Sequence, residues 1–225
     1  MKKFFLKWGH ALMALYLFIH MPCFIYLESH VTDNYHLIHC ALDDYIPFCE
    51  YFIIPYYFWF AFIAIACVYF FLRSQAECIR MGSYLIIGML ISVIIYFLYP
   101  NGLGDFRPHE FPRDNFCTDL VRGLYKTDTS TNVLPSLHVY NTLCVAVAVF
   151  KSKTFGKAHT PVKVITAALS LLICASTVFL KQHSLWDIAA AVALAAALYP
   201  LIYKWKFFAS IGEKKSPKED RETAL

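Results

Sequence analysis

Charged residues are scarce in this chain of 225 residues, since Asp, Glu, Lys and Arg make up only 16% of it. Soluble domains carry about 25%. Hydrophobic residues reach 59%, so the composition excludes a disordered chain and argues strongly against a soluble domain. The formal net charge of +4 is small, and the sequence has no basic patch with interleaved aromatic residues, so nucleic-acid binding is not expected. We therefore expect an integral membrane protein.

The eight cysteines are scattered, with neither a C-x-x-C pair nor a Cys/His spacing typical of zinc. We accordingly predict no metal centre, no cofactor and no disulfide framework. Three less favoured alternatives stay open: a metal site at His30, His36 and His39, a substrate head-group contact at Asp43 and Asp44, and a Cys40–Cys49 disulfide.

Apolar segments suited to crossing a bilayer, which takes about 20 residues, recur six times. The fourth and fifth are short and would reach only about 24–26 Å at the helical rise per residue. No small-x-small cleavage site follows the first, so we expect a retained anchor and not a signal peptide. The six predicted spans are Trp8–Leu27, Tyr51–Leu72, Met81–Tyr99, Pro135–Phe150, Val164–Leu180 and Leu185–Tyr203.

The distribution of Lys and Arg predicts the orientation of these spans. With six spans and both termini cytoplasmic, fifteen of the 20 basic side chains lie inside and five outside. An odd number of spans would place the lysines of one end on the wrong side. We expect one transmembrane domain over residues 1–208 and a charged cytoplasmic tail over residues 209–225. Two longer segments, Glu28–Glu50 and Pro100–Leu134, are expected to fold over the outer mouth of the bundle.

A histidine and a carboxylate stand four residues apart where the sixth span begins, at His183 and Asp187. If the helix starts near His183, the two share one face, so the carboxylate can hold one ring nitrogen and leave the other free to attack. His138, at the start of the fourth span, could protonate a leaving oxygen. The predicted topology, which was built without these residues, places all three on the outer side.

Groups suited to binding phosphate lie on the same side. Ser136 and the free N–H groups of the fourth helix suit a phosphate oxygen, and Arg107 suits a bidentate grip. Together with the histidines, they predict phosphoryl transfer through a phosphohistidine.

The segments that carry these residues resemble the three signatures of the type 2 phosphatidic acid phosphatase superfamily, which shares its core with the vanadium haloperoxidases. Arg107-Pro108 is similar to the end of K-x6-R-P, and Pro135-Ser136-Leu137-His138 is similar to P-S-G-H. The stretch STVFLKQHSLWD is similar to S-R-x5-H-x3-D. The resemblance covers residues 51–203, and the six-helix layout is also like that of the family's membrane members.

The resemblance implies an all-α fold and a role for each matched residue. His183 would be the nucleophile, Asp187 its orienting group and His138 the acid, while Ser136 and Arg107 would bind phosphate. Two motif cations are missing, because their positions hold Pro100 and Thr177. Lys181 is the preferred substitute, and Arg122 and Lys126 are alternatives.

We therefore expect a metal-independent phosphatase that hydrolyses a lipid phosphate or diphosphate at the outer face of a plasma membrane. Its expected partners are the lipid substrate and the bilayer, and several lipid classes fit. Loss of the two cations also resembles the lipid phosphotransferase branch, which includes sphingomyelin and inositol phosphorylceramide synthases, so a transferase stays open. A non-catalytic transporter or scaffold is less favoured because the His-His-Asp set is complete.

Overall fold

Seven α-helices dominate the computed structural model, which describes residues 13, 15–32 and 34–205 of the chain. The N-terminal lysines, the first part of the first predicted span and the predicted tail lie outside these residues. The helices are α1 (Leu17–His30), α2 (Ile53–Arg73), α3 (Gln75–Leu98), α4 (Phe116–Thr127), α5 (Leu137–Lys151), α6 (His159–Phe179) and α7 (Leu185–Tyr203).

Four of the described helices, α2, α3, α6 and α7, are long and apolar enough to cross a membrane. The chain therefore has the helical, membrane-type architecture that the composition predicted. The first and fourth predicted spans correspond to shorter helices: α1 has 14 described residues and α5 has 15. The long spans begin and end within two residues of their predicted bounds, except that α3 starts six residues earlier and α6 five residues earlier.

Helix α5 lies at the centre of the bundle, where it packs against α2, α3, α6 and α7. Its side chains Tyr140, Cys144 and Val145 are almost completely buried. They form one apolar core with Phe70 of α2 and Ile202 of α7. Because the last two residues of the P-S-L-H segment form the start of this helix, the core determines where His138 lies.

The two outer segments, Glu28–Glu50 and Pro100–Leu134, are named for the side of the membrane on which they are predicted to lie. They pair with each other. Strand β1 (His36–Leu37) runs parallel to β2 (Asn101–Gly102), with His36 opposite Asn101. A 3-10 helix over Ala41–Tyr45 and another over Glu50–Phe52 follow β1. Cys40 and Cys49, the pair considered for a disulfide, are both free thiols.

Helix α4 was not predicted, because its segment reads as a polar loop. Its apolar positions repeat at helical spacing, and Cys117, Val121 and Leu124 pack with Tyr56 of α2 and Leu180. The Asn115 side chain caps the helix by accepting from Thr118 N–H at 3.1 Å. The helix thus places the residues that follow it, from Asp128 onward, beside the start of α7.

Candidate active site

His183 and Asp187 meet as their spacing predicted. His183 Nδ1 lies 3.2 Å from Asp187 Oδ2, and both side chains are buried. The same carboxylate oxygen accepts from Ser184 N–H at 2.8 Å, in a capping box that starts α7. One carboxylate therefore orients the imidazole and begins the helix, which leaves Nε2 of His183 as the free ring nitrogen.

The turn before α7 is held by backbone bonds. The carbonyl oxygen of Thr177 accepts from Gln182 N–H at 2.9 Å and from His183 N–H at 3.1 Å. The hydroxyls of Ser176 and Thr177 instead donate back into α6, to the carbonyls of Ile173 and Cys174. The first two residues of the third motif thus shape the turn through the main chain, which no side-chain pattern could show.

His138 faces His183, with their ring centroids 5.7 Å apart. Its ring packs between Tyr56 and Trp59 of α2, at centroid distances of 4.6 and 4.5 Å. The indole N–H of Trp59 also donates to the His138 carbonyl at 3.1 Å. Helices α2, α5 and α7 therefore converge on one pair of imidazoles.

Ser136 is fully buried and caps α5 by accepting from Val139 N–H at 3.3 Å. Its backbone N–H donates to the Asp187 carbonyl at 3.2 Å, which joins the second and third motifs directly. Capping uses a lone pair of the hydroxyl oxygen, and a hydroxyl can still donate its hydrogen. Asn101 braces the preceding segment by accepting from the N–H groups of Val133 and Leu134 at 2.9 and 2.8 Å.

Arg107 lies against the turn that carries His183. Its guanidinium donates to the carbonyls of Asp128 and Thr129 at 2.8 and 2.7 Å and to the Gln182 side chain. Its Nε is buried and has no partner among the described residues. Burial lowers the pKa of Arg107, while the charge of Asp128 opposes that change. The unpaired Nε–H leaves the site with a donor that lacks an acceptor.

Lys181, the predicted substitute for the missing cations, lies in the same turn with a left-handed backbone (φ 53°). Its ammonium donates to the carbonyls of Asp43 and Ile46 at 2.8 and 2.6 Å. Burial lowers its pKa, against the opposing charges of Asp43 and Asp44. The described contacts therefore tie this cation to the outer segment, and none ties it to the histidines.

Asp43 is buried, and its carboxylate binds the start of α7. Its carboxylate accepts from Ser184 Oγ at 2.5 Å and from Leu185 N–H at 2.9 Å. The helix N-terminus attracts a carboxylate because its N–H groups are unpaired and its dipole is positive. Asp44 is exposed and pairs with His39 at 2.9 Å.

The site also contains Asp128 and Gln182, which the sequence motifs did not indicate. Asp128 Oδ2 accepts from the Tyr56 hydroxyl at 3.0 Å and from Gln182 Nε2 at 3.3 Å. Burial raises the pKa of Asp128, although Tyr56, Arg107 and His183 oppose the rise. Gln182 could have been suspected from its place beside His183, but nothing local marks Asp128, because α4 brings it there.

The membrane-type helical bundle and the paired histidines define a class of protein: a helical membrane protein with a histidine–carboxylate centre beside a half-buried arginine. A family model described as the PAP2 superfamily matches residues 81–211. The match covers more than half of the chain and includes Arg107, Ser136, His138, His183 and Asp187. The chain therefore belongs to the PAP2 superfamily. No curated protein and no solved structure matches it.

Proposed function

We propose that the protein is an integral-membrane lipid phosphatase that works through a phosphohistidine on His183. Membership of the PAP2 superfamily supports the coarse statement, a lipid enzyme of the phosphatase or phosphotransferase type. The observation that supports a phosphohistidine on His183 is the pair of facing imidazoles. Asp187 orients the His183 ring, and the His138 ring lies 5.7 Å away between centroids. Two such groups supply a nucleophile and an acid on opposite sides of one phosphorus atom.

The first step forms a bond from His183 Nε2 to phosphorus and breaks the bond from phosphorus to the lipid oxygen. His138 gives its proton to that oxygen, and the lipid alcohol leaves. In the second step, water attacks phosphorus, His138 takes a proton from it, and the bond to His183 breaks. Arg107 Nε–H and the Ser136 hydroxyl donate to the phosphoryl oxygens, whose charge they stabilise. No step needs a metal ion or a cofactor.

We further propose that six spans place both termini in the cytoplasm and the histidines at the outer face of the plasma membrane. The distribution of Lys and Arg supports this arrangement. The substrate would then be a lipid of the outer leaflet.

A lipid phosphotransferase is the second candidate. Two motif cations are replaced by Pro100 and Thr177, and the ammonium of Lys181 is bound by carbonyls. Such a site has less positive charge for a doubly charged phosphate. The first step would be the same, but an alcohol acceptor would replace water in the second.

The test is phosphate release by detergent-purified protein from a panel of lipid phosphates in the presence of EDTA, with acceptor alcohols in a parallel set. We expect His183→Ala to abolish release. His109→Ala, which changes an exposed histidine, is the matched control and should leave release intact. An active His183→Ala protein would refute the phosphohistidine. A new head-group lipid formed without phosphate release would assign the transferase.

A further inference from the structure

Asp128 places a carboxylate inside a site that should bind phosphate. It reaches the site from the end of α4, where the Tyr56 hydroxyl and Gln182 Nε2 bind it at 3.0 and 3.3 Å. Tyr56 packs on His138 at 4.6 Å between ring centroids. Gln182 joins the carboxylate to Arg107, because its side-chain oxygen accepts from the guanidinium.

The groups around this carboxylate provide little positive charge to stabilise a second negative charge. The groups that face Asp128 are Tyr56 from α2, Tyr96 from α3, Arg107 from the outer segment and His183 from the turn. Arg107 is the one permanent cation among them, and most of its donors are already bound to protein oxygens. Asp187 adds a further carboxylate beside His183.

A phosphate monoester carries one negative charge below its second pKa of about 6 and two above it. A phosphodiester keeps one. Like charges close together repel, so a dianion beside an ionised Asp128 binds more weakly than a monoanion unless a proton is taken up.

We propose that Asp128 is a specificity-determining residue that makes this site select singly charged phosphoryl groups. A lipid phosphate monoester is then bound mainly in its singly protonated form, whereas a phosphodiester, whose charge is constant, loses no affinity to this repulsion as the pH rises. The inference rests on the proposed function, whose site it concerns, and names the charge class of the substrate. The raised pKa of Asp128 is consistent with it, because that carboxyl can accept the required proton.

The test compares two soluble probes, glycerol 3-phosphate and dimethyl phosphate, between pH 5.5 and pH 8. The Kd of each comes from the rise in unfolding temperature of the detergent-purified protein with probe concentration. For the wild-type chain, we expect the ratio of the monoester Kd to the diester Kd to rise about tenfold or more with pH. The diester keeps a constant charge over this pH range, so a change in its Kd reports the titration of the histidines. Dividing by the diester Kd therefore corrects the monoester Kd for that titration.

Asp128→Asn keeps an acceptor for Tyr56 and removes the charge. In this variant, we expect the ratio of the monoester Kd to the diester Kd to rise only about threefold or less between pH 5.5 and pH 8. The main cause should be tighter binding of the monoester at pH 8. Asp119→Asn is the matched control, because Asp119 is an exposed acid of the same helix that pairs with Arg122. It should behave as the wild type.

A wild-type ratio that does not change with pH would overturn the inference, even if Asp128→Asn does not fold. An unchanged rise in a folded Asp128→Asn protein would do the same. These binding measurements do not depend on turnover, so their outcome is independent of whether His183 forms a phosphohistidine. A lipid arm applies the same comparison to turnover: His183-dependent phosphate release from a phosphatidic-acid-type monoester should fall more steeply between pH 5.5 and pH 8 in the wild type than in Asp128→Asn, and an equal fall in the two would count against the inference.

Discussion

Asp187 uses a single carboxylate oxygen to hold the His183 ring and the first turn of α7. In Asp187→Asn, the amide can present one oxygen to these two donors but loses the charge that stabilises an imidazolium. We expect kcat to fall by about a hundredfold or more, the scale of a disrupted acid–base group, with little change in KM. Steady-state kinetics on the best lipid substrate measures both. A mainly raised KM would instead place Asp187 in substrate binding.

A substitution at Lys181 can distinguish a structural role of this side chain from its predicted role in phosphate binding. Lys181→Met keeps the aliphatic stem but leaves the carbonyls of Asp43 and Ile46 without their donor. If the cation serves the outer segment, we expect the free energy of unfolding to fall by about 1–3 kcal/mol with KM little changed. Denaturant unfolding in detergent, combined with kinetics, checks this. A raised KM at unchanged stability would confirm the original prediction that Lys181 binds phosphate.

At the scale of elements, the 3-10 helix Ala41–Tyr45 acts on the active site through the N-terminus of α7. Asp43→Asn weakens a buried cap on Ser184 and Leu185, and we expect a loss of about 0.5–2 kcal/mol in unfolding free energy together with slower turnover. Asp44→Asn is the adjacent control, because Asp44 is exposed. Equal effects of the two variants would show that Asp43 has no special role. Thermal unfolding and initial rates provide the comparison.

The contact of α3 with α5 depends on a glycine. A Cβ at Gly88 would lie 1.9 Å from the Tyr140 ring, whereas one at Gly123 in α4 would meet nothing within 4 Å. Gly88→Ala should therefore destabilise the protein by about 1–3 kcal/mol through overpacking. Gly123→Ala should stabilise it by about 0.5–1 kcal/mol, because alanine favours the helix. Unfolding midpoints of the two variants give the test, and a harmless Gly88→Ala would show that the two helices separate easily.

At the scale of the whole molecule, the proposed orientation predicts opposite accessibility for two exposed positions. Asp114 precedes α4 and Lys153 follows α5, and the proposed orientation places the first outside the cell and the second inside. We expect a membrane-impermeant thiol reagent to label Asp114→Cys in intact cells and Lys153→Cys only after permeabilisation. The unmodified chain, with its eight native cysteines, provides the background. Labelling of Lys153→Cys in intact cells would reverse the topology.

Much of the site could be predicted because its parts follow local rules. The four-residue spacing of His183 and Asp187 is a helical repeat, and a serine before an apolar run is a helix cap, as Ser136 proved to be. The long apolar spans were found for a similar reason, since bilayer crossing depends on length and composition. Helix α4 was missed because its apolar face is narrow and surrounded by polar residues.

The sequence by itself determined that this is a helical membrane protein of the PAP2 superfamily with a paired histidine and carboxylate, because composition, periodicity and short spacings are local quantities. Only the tertiary structure decided what the charged residues touch. The ammonium of Lys181 binds the Asp43 carbonyl, and the Asp43 carboxylate binds Ser184 at the start of α7. Asp128 binds Gln182, which is 54 positions away in the sequence. Such contacts depend on how distant helices pack, and the surroundings of a buried charge decide what that charge can do.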